Sequence, residues 1–296
     1  MNREQEKWLL LVILTVIWGS SFILIKKSLE HYGPFQVGAL RVLIAGILLA
    51  PVALLNMTKF PKKRWKWLVL AAVSGNFIPM FLFPLAETEV SSSIAGIINS
   101  MMPIFVIIIG ALFWKFQTTK RQVIGVAISF SGACLLMVSG QEGGSMKIVP
   151  ILWLLLATLL YAVSTTTVKS KLSDIPAKIM SSFVFFFILA VPSLITLAFT
   201  GFFQNFEGTE GEFIGLGYVS LLSIFGTGLA MMLNYRLLNI STPLFASTVT
   251  LLMPIVAVIW GVLDGETLTL IQFAGGIIII MGLIFLRSRT KIKKLL

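Results

Sequence analysis

The sequence predicts an all-α integral membrane protein in which ten transmembrane helices form two inverted five-helix repeats. Three observations carry that prediction. Of the 296 residues, 57% are hydrophobic and 12% charged, with a mean hydropathy of +0.97, too apolar for a water-soluble core inside a polar shell. Uncharged runs of about 20 residues, the length that crosses the hydrocarbon of a bilayer, recur along the whole chain. The second half also matches the first when the sequence is slid along itself.

The first apolar run covers 8–27. It outlasts a usual signal-peptide core and no small-residue cleavage site follows, so it reads as a span. The next three cover 35–56, 66–86 and 92–114. In the last of these Pro103 follows a lone amide, Asn99, and its missing N–H and bulky ring should kink the helix. The fifth span, 122–140, holds the single cysteine, Cys134. It reads as a small packed residue, with no disulfide framework and no thiolate metal site. The remaining spans are 148–168, 178–200, 213–235, 243–262 and 269–287. Short connections leave no room for a soluble domain. Trp8, Trp65, Trp67, Trp114 and Trp153 fall near span ends, as an aromatic belt requires.

The net charge of +11 is unevenly placed. Lys59, Lys62, Lys63, Arg64 and Lys66 follow the second span, Lys115, Lys120 and Arg121 the fourth, Lys169, Lys171 and Lys178 the sixth, and Arg236 the eighth. Arg289, Lys291, Lys293 and Lys294 fall in a basic tail, 288–296. The opposite connections hold only Lys26, Lys27 and Lys147 and most of the acids: Glu30, Glu87, Glu89, Glu142, Glu207, Glu210, Glu212, Asp264 and Glu266. The positive-inside rule therefore places both termini in the cytoplasm of a multi-pass plasma-membrane protein. The bases orient the chain, so no nucleic acid is expected as a partner; the expected partners are the lipid bilayer and a small-molecule substrate. Monomer and homodimer both stay open.

With a shift of 151, Met102, Pro103, Ile104 and Gly110 land on Met253, Pro254, Ile255 and Gly261, and Gly75 lands on Gly226. At a shift of 150, Gln122, Gly125, Ile128 and Gly132 land on Gln272, Gly275, Ile278 and Gly282. Nearer the front, a shift of 143 pairs Thr15, Trp18, Ser21 and Lys26 with Thr158, Tyr161, Ser164 and Lys169. The units are 1–140 and 148–287. Five spans is an odd number, so the second unit enters the membrane inverted, an arrangement that places a site near the midplane and works by alternating access. Pro103 and Pro254 then read as paired hinges.

These residues resemble a family. "TVIWGSSFILIKKSL" with "GPFQVGALRVLIAGILLAP", the paired "MPIFVIIIGALFW" and "MPIVAVIWGVLDGETLT", and the closing "GGIIIIMGLIFL" are similar to the drug/metabolite transporter superfamily, in proteins with two EamA-type domains. The resemblance spans nearly the whole chain. It implies ten helices, cytoplasmic termini, a central cavity between the halves, and export or exchange of amino acids, other metabolites or drugs. The acid that the pattern places after the second span of the pair is present as Glu266, whereas the first half reads "WKFQTTKRQ" with none. Glu266 therefore reads as an exposed charge near the start of the tenth helix, where an anion is favoured.

Polar groups are costly in hydrocarbon and turn toward protein or water, so they are the candidates for a site. Thr15, Trp18 and Phe22 share one face of the first helix; Thr158, Tyr161 and Thr165 are their counterparts in the sixth. The third helix offers Asn76, the eighth Thr227 and Asn234, the fourth Asn99, and the ninth Ser247, Thr248 and Thr250. The substrate-binding set is Trp18, Asn76, Asn99, Tyr161, Thr250, Thr15, Thr165, Thr248 and Arg41. Arg41 is the charge placed well within a span, either pairing with an outer acid or headgroup or meeting a carboxylate in the pathway. The matched glycines of the fifth and tenth helices read as a packing stripe.

Catalysis lacks its parts. Asp174 and Asp264 lie in loops, the single histidine, His31, lies in the first outer connection, and no ligand set for a metal appears. No enzyme, metal or cofactor is expected. A channel would show a filter or a charged ring, and neither is written here. Cationic drugs would favour a buried carboxylate and sugar phosphates several cations. Small neutral or zwitterionic metabolites fit best, with amino-acid export or exchange the leading expectation; a multidrug or toxic-compound exporter of the same fold is the alternative. Glu87 and Glu89 are the acids to test for proton coupling.

Overall fold

The computed structural model describes residues 2–90, 92–138, 148–263 and 270–286, and every regular element among them is helical. Ten helical segments coincide with the predicted spans: α1 (Arg3–Leu29), α2 (Pro34–Leu55), α3 (Lys62–Glu87), α4 (Ser92–Asn99 and Met102–Trp114), α5 (Lys120–Val138), α6 (Ile148–Leu172), α7 (Ala177–Phe199), α8 (Glu210–Ile240), α9 (Pro243–Ser247 and Val249–Leu263) and α10 (Leu270–Leu286). Seven of them, α1 to α4 and α6 to α8, are long and apolar enough to cross a membrane. Helix α5 has 19 residues, and the apolar stretches of α9 and α10 are Pro243–Val256 and Phe273–Phe285. The acidic connection with Glu142, the connection with Asp264 and Glu266, and the basic tail lie outside the described residues.

Two helices extend past their predicted ends for reasons written in their sequence. Helix α1 begins at Arg3 because Asn2 and Gln5 form a reciprocal capping box, with Glu4 and Glu6 in the first turn, where the helix dipole favours acids. Helix α8 starts on a similar box, Thr209 with Glu212, and runs to Ile240. Its added turn carries Arg236, which holds Glu6 of α1 through Nε to Oε1 at 2.7 Å and Nη2 to Oε2 at 3.0 Å. Nearby, Arg64 bonds Asp174 and the Lys171 carbonyl. At the opposite end of these helices the Tyr32 hydroxyl donates to the Glu212 carbonyl at 2.7 Å. Burial and the Glu212 charge push that phenol up to about 12, so it keeps its donor proton.

The two prolines behave differently. Helix α4 stops at Asn99 and restarts at Met102, so Pro103 sits in a first turn, where a missing N–H costs little. Helix α9 breaks earlier, at Thr248, and Pro254 lies inside the continuous Val249–Leu263. A proline frees the carbonyl four residues before it. For Pro254 that carbonyl belongs to Thr250, and it accepts from Ser100 Oγ of α4 at 3.0 Å, a neighbour's hydroxyl replacing the lost bond.

Four helices contain turns widened to i→i+5: Val73–Phe77 in α3, Val168–Leu172 in α6, Phe183–Leu189 in α7 and Ile224–Leu229 in α8. Those in α3 and α8 begin 151 residues apart, the shift of the repeat. Apart from the cavity helices, α5 and α10 pack through their glycines. A Cβ at Gly132 would lie 2.8 Å from the Gly275 carbonyl oxygen, and one at Gly282 only 2.7 Å from that of Gly125. Ser129 Oγ also donates to the Ile279 carbonyl at 3.1 Å. Only glycine permits this approach.

Candidate functional site

A cavity of about 100 Å³ opens between α1, α3, α4, α6, α8 and α9, with Arg41 of α2 at its edge. The first three come from the first half of the chain and the last three from the second. Around it the widened turn of α8 turns a backbone carbonyl toward side chains of the first half. The Gly226 oxygen accepts Trp18 Nε1 at 2.9 Å and Arg41 Nη2 at 3.3 Å, while Arg41 Nε donates to Thr227 Oγ1 at 2.6 Å. Ser223 Oγ in turn donates to the Arg41 carbonyl at 2.7 Å. Tyr161, also on the cavity, stacks on Phe83 with centroids 5.8 Å apart.

Four buried polar atoms on the cavity make no hydrogen bond: Nδ2 and Oδ1 of Asn76, Oδ1 of Asn99 and the Tyr235 hydroxyl. Asn76 is fully buried and reaches toward Tyr235 without closing a bond of good geometry. The Asn99 amide nitrogen has the Met253 sulfur at 3.7 Å, a weak acceptor. Buried polar groups are nearly always satisfied. Leaving several unsatisfied around one space is the signature of a site whose partner is a ligand or water.

Seven of the nine predicted residues line this cavity: Trp18, Asn76, Asn99, Tyr161, Thr250, Thr165 and Arg41. Thr15 and Thr248 do not. Both are buried, and each hydroxyl donates to a carbonyl of its own helix, Leu11 at 2.8 Å and Phe245 at 2.7 Å. Thr250 is on the cavity, but its hydroxyl already donates to the Ser247 carbonyl at 2.9 Å.

The sequence pattern of the EamA-like transporter family matches the chain twice, over residues 6–138 and 148–288. The chain belongs to the EamA-like transporter family. It is a multi-pass membrane transporter and not an enzyme. A similar protein, an uncharacterized transporter of Archaeoglobus fulgidus, is 28% identical over 292 residues, 96% of this chain and 100% of the relative. A probable amino-acid metabolite efflux pump of Salmonella typhimurium is 25% identical over 289 residues, 96% of this chain and 94% of the relative. A solved structure described as a crystal structure of protein superposes with a TM-score of 0.71 over 96% of both chains; at 16% identity it speaks for the fold alone.

In this EamA-like transporter the cavity also holds residues that a search for polar groups in spans passed over. Met80 and Met102 line it with Met231 and Met253, two pairs related by the same shift of 151. Ser21 and Ser164, already matched by the repeat, line it beside Gly226 and Gly75. The repeat was the signal that would have found them, since matched positions near matched prolines share one depth. Tyr235, next to the singled-out Asn234, had no such signal: its counterpart at the same shift is Pro84.

Proposed function

We propose that this transporter carries small neutral or zwitterionic metabolites, amino acids first among them, by alternating access between two inverted five-helix halves, 1–140 and 148–287. The observation that carries this reading is the cavity itself: six helices, three from each half, enclose polar atoms that lack partners. Trp18, Asn76, Asn99, Tyr161, Thr165, Thr250 and Arg41 are the proposed substrate contacts. Thr15 and Thr248 act behind them, holding the helix faces that present Trp18 and Thr250. The similar Salmonella typhimurium protein, named as a probable amino-acid metabolite efflux pump, supports the same substrate class. The charge asymmetry of the connections supports cytoplasmic termini and the plasma membrane.

Pro103 and Pro254 serve as hinges in this reading, the first beside a broken helix and the second through the carbonyl that Ser100 takes. Replacing either with alanine should slow exchange between inward- and outward-open states more than it weakens binding. The decisive measurement is counterflow of a labelled amino-acid panel in proteoliposomes. Saturable flux accelerated by unlabelled substrate on the far side supports the carrier; flux linear in concentration points to a channel. One observation favours the multidrug alternative: four methionines, flexible and polarizable, line the cavity and suit varied ligands. Broad competition by unrelated apolar cations would select that reading.

A further inference from the structure

We propose that the substrate of this cavity bears a carboxylate and that Arg41 holds it. This rests on the transport reading only for the passage of that substrate, not for its binding. Arg41 is the charged residue of the cavity wall, and it is 7% exposed. A guanidinium has five N–H donors; two are used here, Nε on Thr227 Oγ1 and one on Nη2 with the Gly226 carbonyl. Both acceptors are neutral. Among the described residues no carboxylate lies within ion-pair distance of Arg41. Glu87, at the end of α3, acts on it through space. A buried charge is retained when something pairs with it, and the spare Nη donors form the planar fork that accepts both oxygens of a carboxylate.

The repeat gives this charge no counterpart. Thr227, which takes Nε, corresponds at a shift of 151 to Asn76. In α7 the residues at the position of Arg41, matched at a shift of 142 or 143, are Phe183 and Val184, both apolar and buried. Asn76 thus faces the cavity with its amide atoms unbonded, the nearby Tyr235 hydroxyl closing no bond of good geometry with it. The cavity therefore holds a cation with spare donors together with the unpaired amide oxygens of Asn76 and Asn99, which can accept from an ammonium group. An α-amino acid supplies both ends. A cation without a carboxylate is repelled by Arg41 and leaves its spare donors unfilled, so it is disfavoured.

Thermal stabilisation of the detergent-purified protein tests this. The probes are L-leucine, L-methionine, L-phenylalanine and L-threonine, the methyl ester of each, the amine left when its carboxylate is removed, and two acids without an amine, 4-methylpentanoate and 3-phenylpropanoate. Stabilisation confined to carboxylate-bearing probes is expected. Arg41→Gln should weaken their binding by at least roughly tenfold and Arg41→Lys by less, since lysine keeps the charge and loses the fork. Esters or amines binding as tightly as their parent acids overturn the proposal, as does a panel in which no carboxylate binds; both readings come from unmodified protein. Carboxylate-selective binding without counterflow would break the transport reading and leave this one standing, whereas counterflow of an amine would do the reverse.

Discussion

Gly75 and Gly226 occupy the same place in the two halves, inside widened turns that begin 151 residues apart, yet they meet the opposite half in different ways. At Gly75 the contact is shut. A Cβ there would lie 2.1 Å from Ser164 Oγ and 2.6 Å from its Cβ, and that hydroxyl crosses to the Ala71 carbonyl of α3 at 2.8 Å. At Gly226 the matching serine, Ser21, bonds the Ile17 carbonyl of its own helix at 3.0 Å. A Cβ there would meet its Oγ at 2.8 Å, the Leu222 side chain at 3.3 Å and Arg41 Nη2 at 3.9 Å. The carbonyl of Gly226 goes instead to Trp18 and Arg41. Two copies of one interface are therefore in two conditions, one closed by a serine and one wired to cavity side chains. The proposed alternating access would require such an asymmetry in any one resting state.

The sharpest way to break the comparison is to fill the two glycines. Gly75→Ala drives a methyl into both atoms of Ser164 and should cost about 1–3 kcal/mol, the usual penalty of overpacking. Transport and folded yield should fall together. Ser164→Ala should not rescue it, because the serine Cβ itself is in the way; Ser164→Gly should. Gly226→Ala meets a hydroxyl that can turn away at the cost of its bond to the Ile17 carbonyl, and should lose less than half as much stability. Thermal unfolding in detergent ranks the four proteins, and equal losses at the two glycines would erase the asymmetry.

Asn99 and Thr250 form the second matched pair, related by the same shift. Asn99 keeps an unsatisfied oxygen on the cavity, whereas Thr250 has satisfied its hydroxyl on Ser247. Asn99→Leu retains bulk and removes the hydrogen bonding, so substrate binding should weaken roughly tenfold, equivalent to about 1.4 kcal/mol. Thr250→Val should change affinity less than about twofold on the same scale. Titration of both variants, normalised to monodisperse protein, decides between them; similar losses would mean that the cavity reads the two halves alike.

These pairs also mark what was legible in the sequence. Helix positions followed from apolar run length, and Trp18, Asn76, Asn99 and Tyr161 followed from the cost of placing polar or amphipathic groups inside a span. Thr15 and Thr248 lie off the cavity, and polarity alone could not have told this, because a threonine hydroxyl satisfies itself on the preceding turn of its own helix. The widened turns were invisible, since an apolar stripe looks the same whether a turn closes at i+4 or i+5. The methionines escaped a search for polarity although the repeat pairs them. The kink expected at Pro103 is instead a break two to three residues earlier, at Ser100 and Met101, because a proline is best placed just inside a new helix.

The smallest expected effect is the most specific to the comparison. Ser164→Ala removes a hydrogen bond between helices and leaves the Ala71 carbonyl buried beside the widened turn. Such bonds between membrane helices are worth about 0.6 kcal/mol on average, and unfolding should register a loss of that order. Ser21→Ala removes a bond within one helix, which contributes little to stability, so its unfolding should match that of the unmodified protein. Its counterflow rate should nevertheless fall. If the halves exchange conditions, as the proposed alternating access requires, Ser21 is the hydroxyl that would cross to the Leu222 carbonyl, the counterpart of Ala71 at a shift of 151, which here accepts from Thr227 Oγ1 at 3.3 Å. A Ser21→Ala protein with normal stability and normal exchange would show that the two interfaces differ permanently and do not take turns.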